Sequence, residues 1–309
     1  LTHLFLFGIY YDSEFREFSD TDVFYFLEAF MTEFAKRATT DIETLQERAR
    51  QMRRCVIEIL GDSTGGHYGG ALSAADLLSV LYFDTMRYKP EAPRWPDRDR
   101  FILSKGHVAV VYCSALSMAG FYPYEDIRYH YNALGSPYAM HCDMTKISGC
   151  DFSAGSLGHG LSAGVGMALS GKIDARDFRV FVMIGDADLQ EGSTWEAAMS
   201  ASQYKLDNLC CIIDRNRIGV DGYTEDLMGV EPVEDKWASF NWDVQSIDGH
   251  DIGQILGAFD GLPDGSGRPR AVLANTIKGK GVSFMEDRHQ WHYGVCTPDQ
   301  TSSALGELK

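Results

Sequence analysis

The chain is short of basic residues and has none of the cysteine pairs that staple or metallate small proteins. Lys and Arg number 28 against 44 Asp and Glu, a formal charge of -16, which argues against nonspecific binding to nucleic acid or to an anionic membrane. That excess does not forbid a phosphorylated substrate, because local groups and a bound cation set the field inside a site. Seven cysteines occur without a Cys-x-x-Cys pair, which reads as a reduced, cytoplasmic protein with no disulfide framework and no zinc site. Cys210-Cys211 lies in an apolar run, where the thiol behaves as a small hydrophobe; Cys142 and Cys150 are read as structural. No apolar run is long enough to span a bilayer, and there is no internal repeat or low-complexity tract. The opening LTHLFLFGIYY lacks a basic leader, a small-residue cleavage site and an initiator Met, so no signal peptide is expected and the start is read as processed, trimmed or vector-derived.

What remains is ordinary for a globular protein: 309 residues, 45% hydrophobic and 23% charged, enough for one large or two ordinary domains. Residues 1–39 carry ten aromatics between Phe5 and Phe30, too many for a solvated tail, and are expected to pack on the body or on a partner as an extension of unknown role. From 40 to 309 the pattern reads as one domain. Thr40 and Glu43 form a capping box opening a helix to about Leu60, with Gly61 as its stop. A helix is predicted from Ser73 through Met86, a strand at Phe101–Leu103, a helix at Val108–Ala119 closed by Gly120, and a helix at Tyr124–Tyr131. Residues 132–159, dense in Gly, Ser and Asp, form a loop long enough to suggest function, followed by a Gly- and Ala-rich helix at Leu161–Ser170. Further strands are expected at Phe178–Ile184, Leu209–Ile213, Val244–Ile247 and Ala271–Thr276. Helices are expected at Thr194–Lys205, Val233–Phe240 and Ile252–Phe259, and a short or frayed one at the C-terminus. Strands alternating with helices predict an α/β fold, a parallel sheet covered on both faces.

The most informative stretch is Gly185-Asp186-Ala187-Asp188-Leu189-Gln190-Glu191-Gly192, followed about thirty residues later by Asp214-Arg215-Asn216-Arg217-Ile218. An Asp ends one strand and an Asn lies just beyond the next. In an open parallel sheet, ligands bind at the carboxyl ends of the strands, so these two oxygen-bearing side chains converge. Two hard oxygen ligands together with a diphosphate suit Mg²⁺.

This pattern resembles the thiamin diphosphate signature, and the wording from Leu189 to Leu209 resembles transketolase. Four further segments carry the resemblance, in order, over roughly residues 41–295. They are Thr64-Gly65-Gly66-His67-Tyr68-Gly69-Gly70; Leu103-Ser104-Lys105-Gly106-His107; Met140-His141 with Gly155-Ser156-Leu157-Gly158-His159-Gly160 fourteen residues on; and Lys278-Gly279-Lys280-Gly281 leading to Trp291-His292. The resemblance implies a fold that binds thiamin diphosphate, with Mg²⁺ or Ca²⁺ held by Asp186, Asn216 and the Ile218 carbonyl. It implies that Gly155, Leu157, Gly185, Ala187, Glu191, Val220, His107 and His292 also bind the cofactor. Thiamin chemistry adds the thiazolium C2 to a ketose carbonyl and cleaves the adjacent carbon–carbon bond, while the protein supplies binding, orientation and proton transfer. Histidine suits proton transfer near neutral pH. By resemblance, His67 and His292 contact the donor near its carbonyl and C3 hydroxyl, His107 lies beside the diphosphate, and His141 recognises a substrate hydroxyl. His159 is assigned to support of the cofactor loop. His3, His130, His250 and His289 receive no catalytic role.

Two departures from the family stand out. Ala187 replaces the usual Gly, which is harmless if the turn needs a negative φ and costly if it needs a positive one. Tyr293 replaces the Gly that usually follows the last His, so the loop around His292 is expected to be reshaped. Full-length transketolases carry a second domain with a Glu that activates the aminopyrimidine. Glu191 is not that residue, since its place is at the diphosphate end. The resemblance therefore implies the amino-terminal subunit of a split transketolase, completed by a carboxy-terminal subunit carrying the pyrimidine domain and its catalytic Glu. The assembly expected is a heterotetramer around a homodimer core, acting on sugar substrates, with apolar surface around Leu157, Ile218 and Val220 buried only on assembly. Two other readings stay open: a subunit of a 2-oxoacid dehydrogenase or of a deoxyxylulose-phosphate synthase relative, and a noncatalytic assembly or regulatory homologue.

Overall fold

In the computed structural model, residues 41–309 are described; Thr40 and the aromatic-rich extension 1–39 lie outside the described residues. Five strands, β1 (Arg100–Leu103), β2 (Val180–Gly185), β3 (Leu209–Arg215), β4 (Asp243–Asp248) and β5 (Arg270–Asn275), form one sheet in the order β1-β2-β3-β5-β4. Every pairing is parallel. Near-continuous apolar sequence on β2 and β3 is what burial on both faces requires. Successive side chains alternate between layers. Phe181, Met183, Cys210, Ile212, Val272 and Ala274 face one core, packed under the helix Ile42–Asp62. Val180, Val182, Ile184, Leu209, Cys211, Ile213 and Leu273 face the other, with Leu161, Ala198, Trp237 and Trp242. The helix His159–Ile173 lies so close to the sheet that a Cβ on Gly164 would stand 2.4 Å from Val182 Cγ2. The glycine is there to permit that approach, and a larger residue would push helix and strand apart. All seven cysteines are free and none is exposed.

Two helical expectations are corrected. The first helix runs Ile42–Asp62 with Asp41, not Thr40, as its N-cap; Asp41 Oδ1 accepts from the Thr44 amide at 2.8 Å. Gly61 lies inside its last turn, and the cap is Ser63. The stretch expected as one helix from Ser73 to Met86 is three pieces: Tyr68–Ser73, Ala75–Val80 and a π-helical turn at Leu81–Thr85. Ser73 ends a helix instead of opening one, because its hydroxyl is engaged by Asp214 at 2.6 Å and by the Gly70 carbonyl at 3.2 Å. The other predicted strands and helices stand within two residues or so of their expected ends, and residues 132–158 carry no helix or strand.

The register sets the site. Gly185 pairs with Asp214, and Asp214 with Ala274, so the carboxyl ends of β2, β3 and β5 are level. The residues that follow them, Asp186, Asn216 and Thr276–Lys278, emerge along one edge.

Candidate functional site

At that edge Asp186 is 5% exposed. Its Oδ1 accepts from Arg215 Nη1 at 2.6 Å and its Oδ2 from the Arg217 amide at 2.7 Å. Arg217 stands between Asn216 and Ile218 and has φ +64°, a left-handed residue that turns the chain sharply. The three expected metal donors therefore lie on this turn and on the strand end it faces. The Asn216 side-chain oxygen accepts from the Ile218 amide at 3.2 Å. Burial pushes the Asp186 carboxyl up, and Arg215 pulls the other way. Arg215, 1% exposed, also donates to Thr224 Oγ1 (3.0 Å), Glu225 (3.1 Å) and Glu231 (2.7 Å), so it ties segment 216–231 to Asp186.

Lys278 joins this turn to the histidines. Its buried Nζ donates to the Ile218 carbonyl at 2.7 Å and the Gly219 carbonyl at 3.1 Å, and lies 2.8 Å from His292 Nδ1. In its charged form Lys278 only donates, and Nδ1 of His292 is then the acceptor. Burial and the Lys105 charge bring the Lys278 ammonium down to about 7, against the pull of Asp186 and Asp214. The rings of His67, His107 and His292 stand 4.8, 5.2 and 5.4 Å apart by centroid. Burial is the main cause that lowers each: His67 to about 4, with the charges of His141 and Lys278 adding to it; His107 to about 2, with Lys105; His292 to about 3, with Lys278. Burial also lowers His141, whose ring reaches the Gly155 loop (a Cβ on Gly155 would lie 3.8 Å from His141 Cδ2). At neutral pH the imidazoles are uncharged and each keeps one accepting nitrogen. Among the described residues His67 Nδ1 is buried without a hydrogen-bond partner.

Two buried carboxylates hold the loops around this cluster. Asp188 Oδ1 accepts from Ser104 Oγ (2.5 Å) and the Gly158 amide (2.9 Å), and Oδ2 from the Gly185 amide (2.9 Å). Asp214 accepts from Ser73, Lys105 and Thr276. Burial acts to raise its carboxyl, but the Lys105 charge and these bonds hold it below the usual range. Gly158 has φ +81°, and a Cβ there would lie 2.6 Å from Glu191 Cβ, so the 155–160 loop seats directly on the 185–192 turn. Glu191 itself is exposed.

The structure thus brings together Asp186, Asn216, Ile218, Gly185, His67, His107 and His292, with His141 and the Gly155–Leu157 loop at the rim. His159 points its Nδ1 at the Leu157 carbonyl, 3.3 Å away, and is exposed. Ala187 lies in a 3₁₀ turn, Asp186–Gln190, and is not at positive φ, so the methyl costs the backbone nothing. One expectation is corrected. Leu157, Ile218 and Val220 do not form an apolar surface exposed until assembly: Ile218 is already buried, 4% exposed, because its turn folds over Lys278, while Val220 is 60% exposed and Leu157 half-buried. The motifs assign no role to Lys278, Lys105, Asp188, Asp214 or Arg215; the only signal in the sequence is their position one to three residues past, or at, a strand end. His250, given no catalytic role, bridges Asp76 Oδ2 (2.7 Å) and the Ile277 amide (2.8 Å), which positions the residue before Lys278.

The donor set fits a divalent cation carrying a diphosphate. No group of three His, Cys, Asp or Glu able to hold a metal occurs among the described residues. One carboxylate, one amide oxygen and one carbonyl form the sparse oxygen set that magnesium takes when phosphates complete its shell. The Lys278 ammonium already marks the Ile218 carbonyl as a place for positive charge. The unpartnered His67 nitrogen is a second polar group awaiting a ligand.

The family model described as "Transketolase, thiamine diphosphate binding domain" matches residues 44–305. A 6-deoxy-6-sulfo-D-fructose transketolase subunit from Clostridium sp. (strain MSTE9) is 42% identical over 265 residues, 86% of this chain and 96% of that protein. An apulose-4-phosphate transketolase subunit from Phocaeicola vulgatus is 40% identical over 267 residues, 86% of this chain and 94% of that one. Among solved structures, transketolase from Campylobacter jejuni superposes with TM-score 0.81 at 30% identity, covering 87% of this chain and 43% of that chain. Transketolase from Leishmania mexicana does so with TM-score 0.80 at 25% identity, covering 85% and 41%. The chain therefore spans about two-fifths of those longer proteins and nearly all of the two subunits.

Proposed function

The chain belongs to the transketolase family, as its thiamin-diphosphate-binding domain, and from that premise we propose that it is the diphosphate-binding subunit of a two-subunit enzyme moving a two-carbon ketol unit from a ketose to an aldose. One observation carries the reading: Lys278 Nζ bonds both the Ile218 carbonyl of the Asp186–Asn216 turn and the His292 ring. The turn proposed to anchor the diphosphate and the set of neutral imidazoles are thereby joined. Thiamin diphosphate, when bound, supplies the nucleophilic carbon and the electron sink for breaking a carbon–carbon bond.

This chain's residues would do the rest. Asp186, Asn216 and the Ile218 carbonyl hold Mg²⁺ or Ca²⁺ against the diphosphate, with Gly155, Leu157, Gly185, Ala187, Glu191 and His107 around it and Val220 toward the ring. His67 and His292 take and return protons at the substrate hydroxyls, and His141 reads the hydroxyl next to the reacting carbon. Burial holds these imidazoles low in the chain alone; a diphosphate bound beside them would favour their protonated forms and raise them, toward the range useful for catalysis. The partner is proposed to be a carboxy-terminal subunit carrying the pyrimidine domain and its Glu, in a heterotetramer around a homodimer of this chain. The two relatives are named for sugars bearing a sulfonate or a phosphate, and a ketose with such a terminal anion is the proposed donor. The residues that read that anion are proposed to lie on the partner. A cytoplasmic setting is proposed from the free, unexposed cysteines.

The test is product analysis of the assembled enzyme given a ketose phosphate and an aldose. Ketol transfer is expected, with His67→Ala lowering turnover roughly 10²- to 10⁴-fold. Decarboxylation of pyruvate or acylation of a lipoyl group, with no two-carbon transfer to the aldose, would contradict the reading.

A further inference from the structure

Tyr293 follows His292 directly and stands edge-on to His67, with ring centroids 5.1 Å apart and planes at 75°. Its place is fixed by the backbone. Gly66 and Gly294 exchange both N–H···O bonds, each 3.0 Å, across an antiparallel bridge. Gly65, at φ +93°, admits no Cβ there, since one would lie 2.3 Å from the Gly294 carbonyl oxygen. The backbones of the two loops bearing His67 and Tyr293 are thus clamped together. The Tyr293 side chain is 46% exposed, and its hydroxyl has no hydrogen-bond partner among the described residues. The half-exposed ring therefore stands on the open side of the imidazole cluster, edge-on to His67, whose Nδ1 is buried without a partner. An aromatic ring with one wet polar end suits a ligand that is apolar along C–H faces and studded with hydroxyls.

We infer that Tyr293 is a specificity-determining residue that contacts the sugar: its ring walls one side of the entrance to the imidazole cluster, and its hydroxyl bonds a sugar hydroxyl beyond the reacting carbons. This deepens the ketol-transfer reading and rests on it. The group it reads is a neutral polyol hydroxyl, not the terminal anion, because the two lysines beside the imidazoles, Lys105 and Lys278, are each 2% exposed and already bonded, Lys105 to Asp214 and the Gly70 carbonyl, Lys278 to two carbonyls and His292.

The test compares two donors in the assembled enzyme with one aldose acceptor: D-fructose 6-phosphate, which gives up its two-carbon unit and leaves as the shortened aldose phosphate, and hydroxypyruvate, which gives the same unit with loss of CO₂ and lacks the further sugar hydroxyls. Losing one neutral hydrogen bond is worth roughly 3- to 10-fold. Tyr293→Phe should lower the ratio of kcat/KM for the sugar to kcat/KM for hydroxypyruvate by that factor, chiefly through KM, and Tyr293→Gly should lower it further by removing the wall. A residue that only props the loop would change both donors alike and leave the ratio fixed, and that result overturns the inference. If the unaltered enzyme turns over neither donor, the ketol-transfer reading itself falls, and the assignment of Tyr293 with it. Turnover of both donors with an unmoved ratio in both variants sinks the Tyr293 assignment alone.

Discussion

Asp186 meets the Arg217 amide and the Arg215 guanidinium at a strand end, not in the packed layers, so its side chain can be removed without opening a core cavity. Arg215 would still be paired with Glu225 and Glu231, which avoids leaving a buried charge alone. Asp186→Ala is therefore expected to abolish retention of thiamin diphosphate and metal through dialysis while the circular dichroism spectrum and oligomeric state persist; a folded variant that keeps both at wild-type stoichiometry would refute the assignment. The histidines add a pH dependence. His67, His107 and His292 fall from 6.5 to about 4, 2 and 3 on folding, so an unfolded chain takes up protons that the folded chain refuses. Their contribution to stability is complete above about pH 6.5 and is lost as pH falls toward the folded values. Tm should drop between about pH 6.5 and 4, and less steeply in His67→Gln; parallel Tm profiles for the two proteins would contradict this. Asp186, Asn216 and the histidines are legible in the sequence because each sits in a motif whose spacing is itself chemical. Arg215, Asp214, Asp188 and Lys278 are not, because a buried, fully bonded charge is written with the same letter as a solvated one.

Among the elements, the 155–160 loop, the end of β1 and the start of the 186–190 turn depend on one another through Asp188, which accepts one bond from each. Removing that carboxylate strands two buried amides and a hydroxyl. Asp188→Ala is expected to cost about 3 kcal/mol or more and to loosen the cofactor loop, seen as faster amide exchange at Gly158 and Gly185; unchanged exchange there would show that the loop is held by other means. The regular elements can be read from sequence wherever burial imposes a period, as in the apolar runs of β2 and β3. Reading fails at Ser73, where a tertiary bond to Asp214 overrides helical pattern, and at Gly61, which a helix tolerates when its neighbours carry it to Asp62. Ala187 shows the limit from the other side: the sequence poses the question of its φ, and only the fold answers it.

Taken as a whole molecule, the chain gathers Asp186, Asn216 and the imidazoles at one sheet edge but leaves apolar surface beside them. Val220, Tyr223, Leu227 and Met228 are each more than half exposed on one segment. That segment is bonded to Arg215 and through it to Asp186. Such a patch beside a site is suited to a partner surface, and its covering would exclude water from the cofactor. The family relation and the near full-length match to proteins named as subunits are foreseeable from the ordered motifs; which sugar the enzyme uses is not, because no terminal-anion site is written in this chain's motifs. The central claim is that this chain supplies half of a site. The most direct test is a steady-state ketol-transfer assay with saturating thiamin diphosphate and Mg²⁺, run on the purified full chain alone and then on an equimolar mixture with the pyrimidine-domain subunit. The chain alone is expected to show no turnover and the mixture to show ketol transfer; robust turnover by the chain alone would overturn the split-site reading.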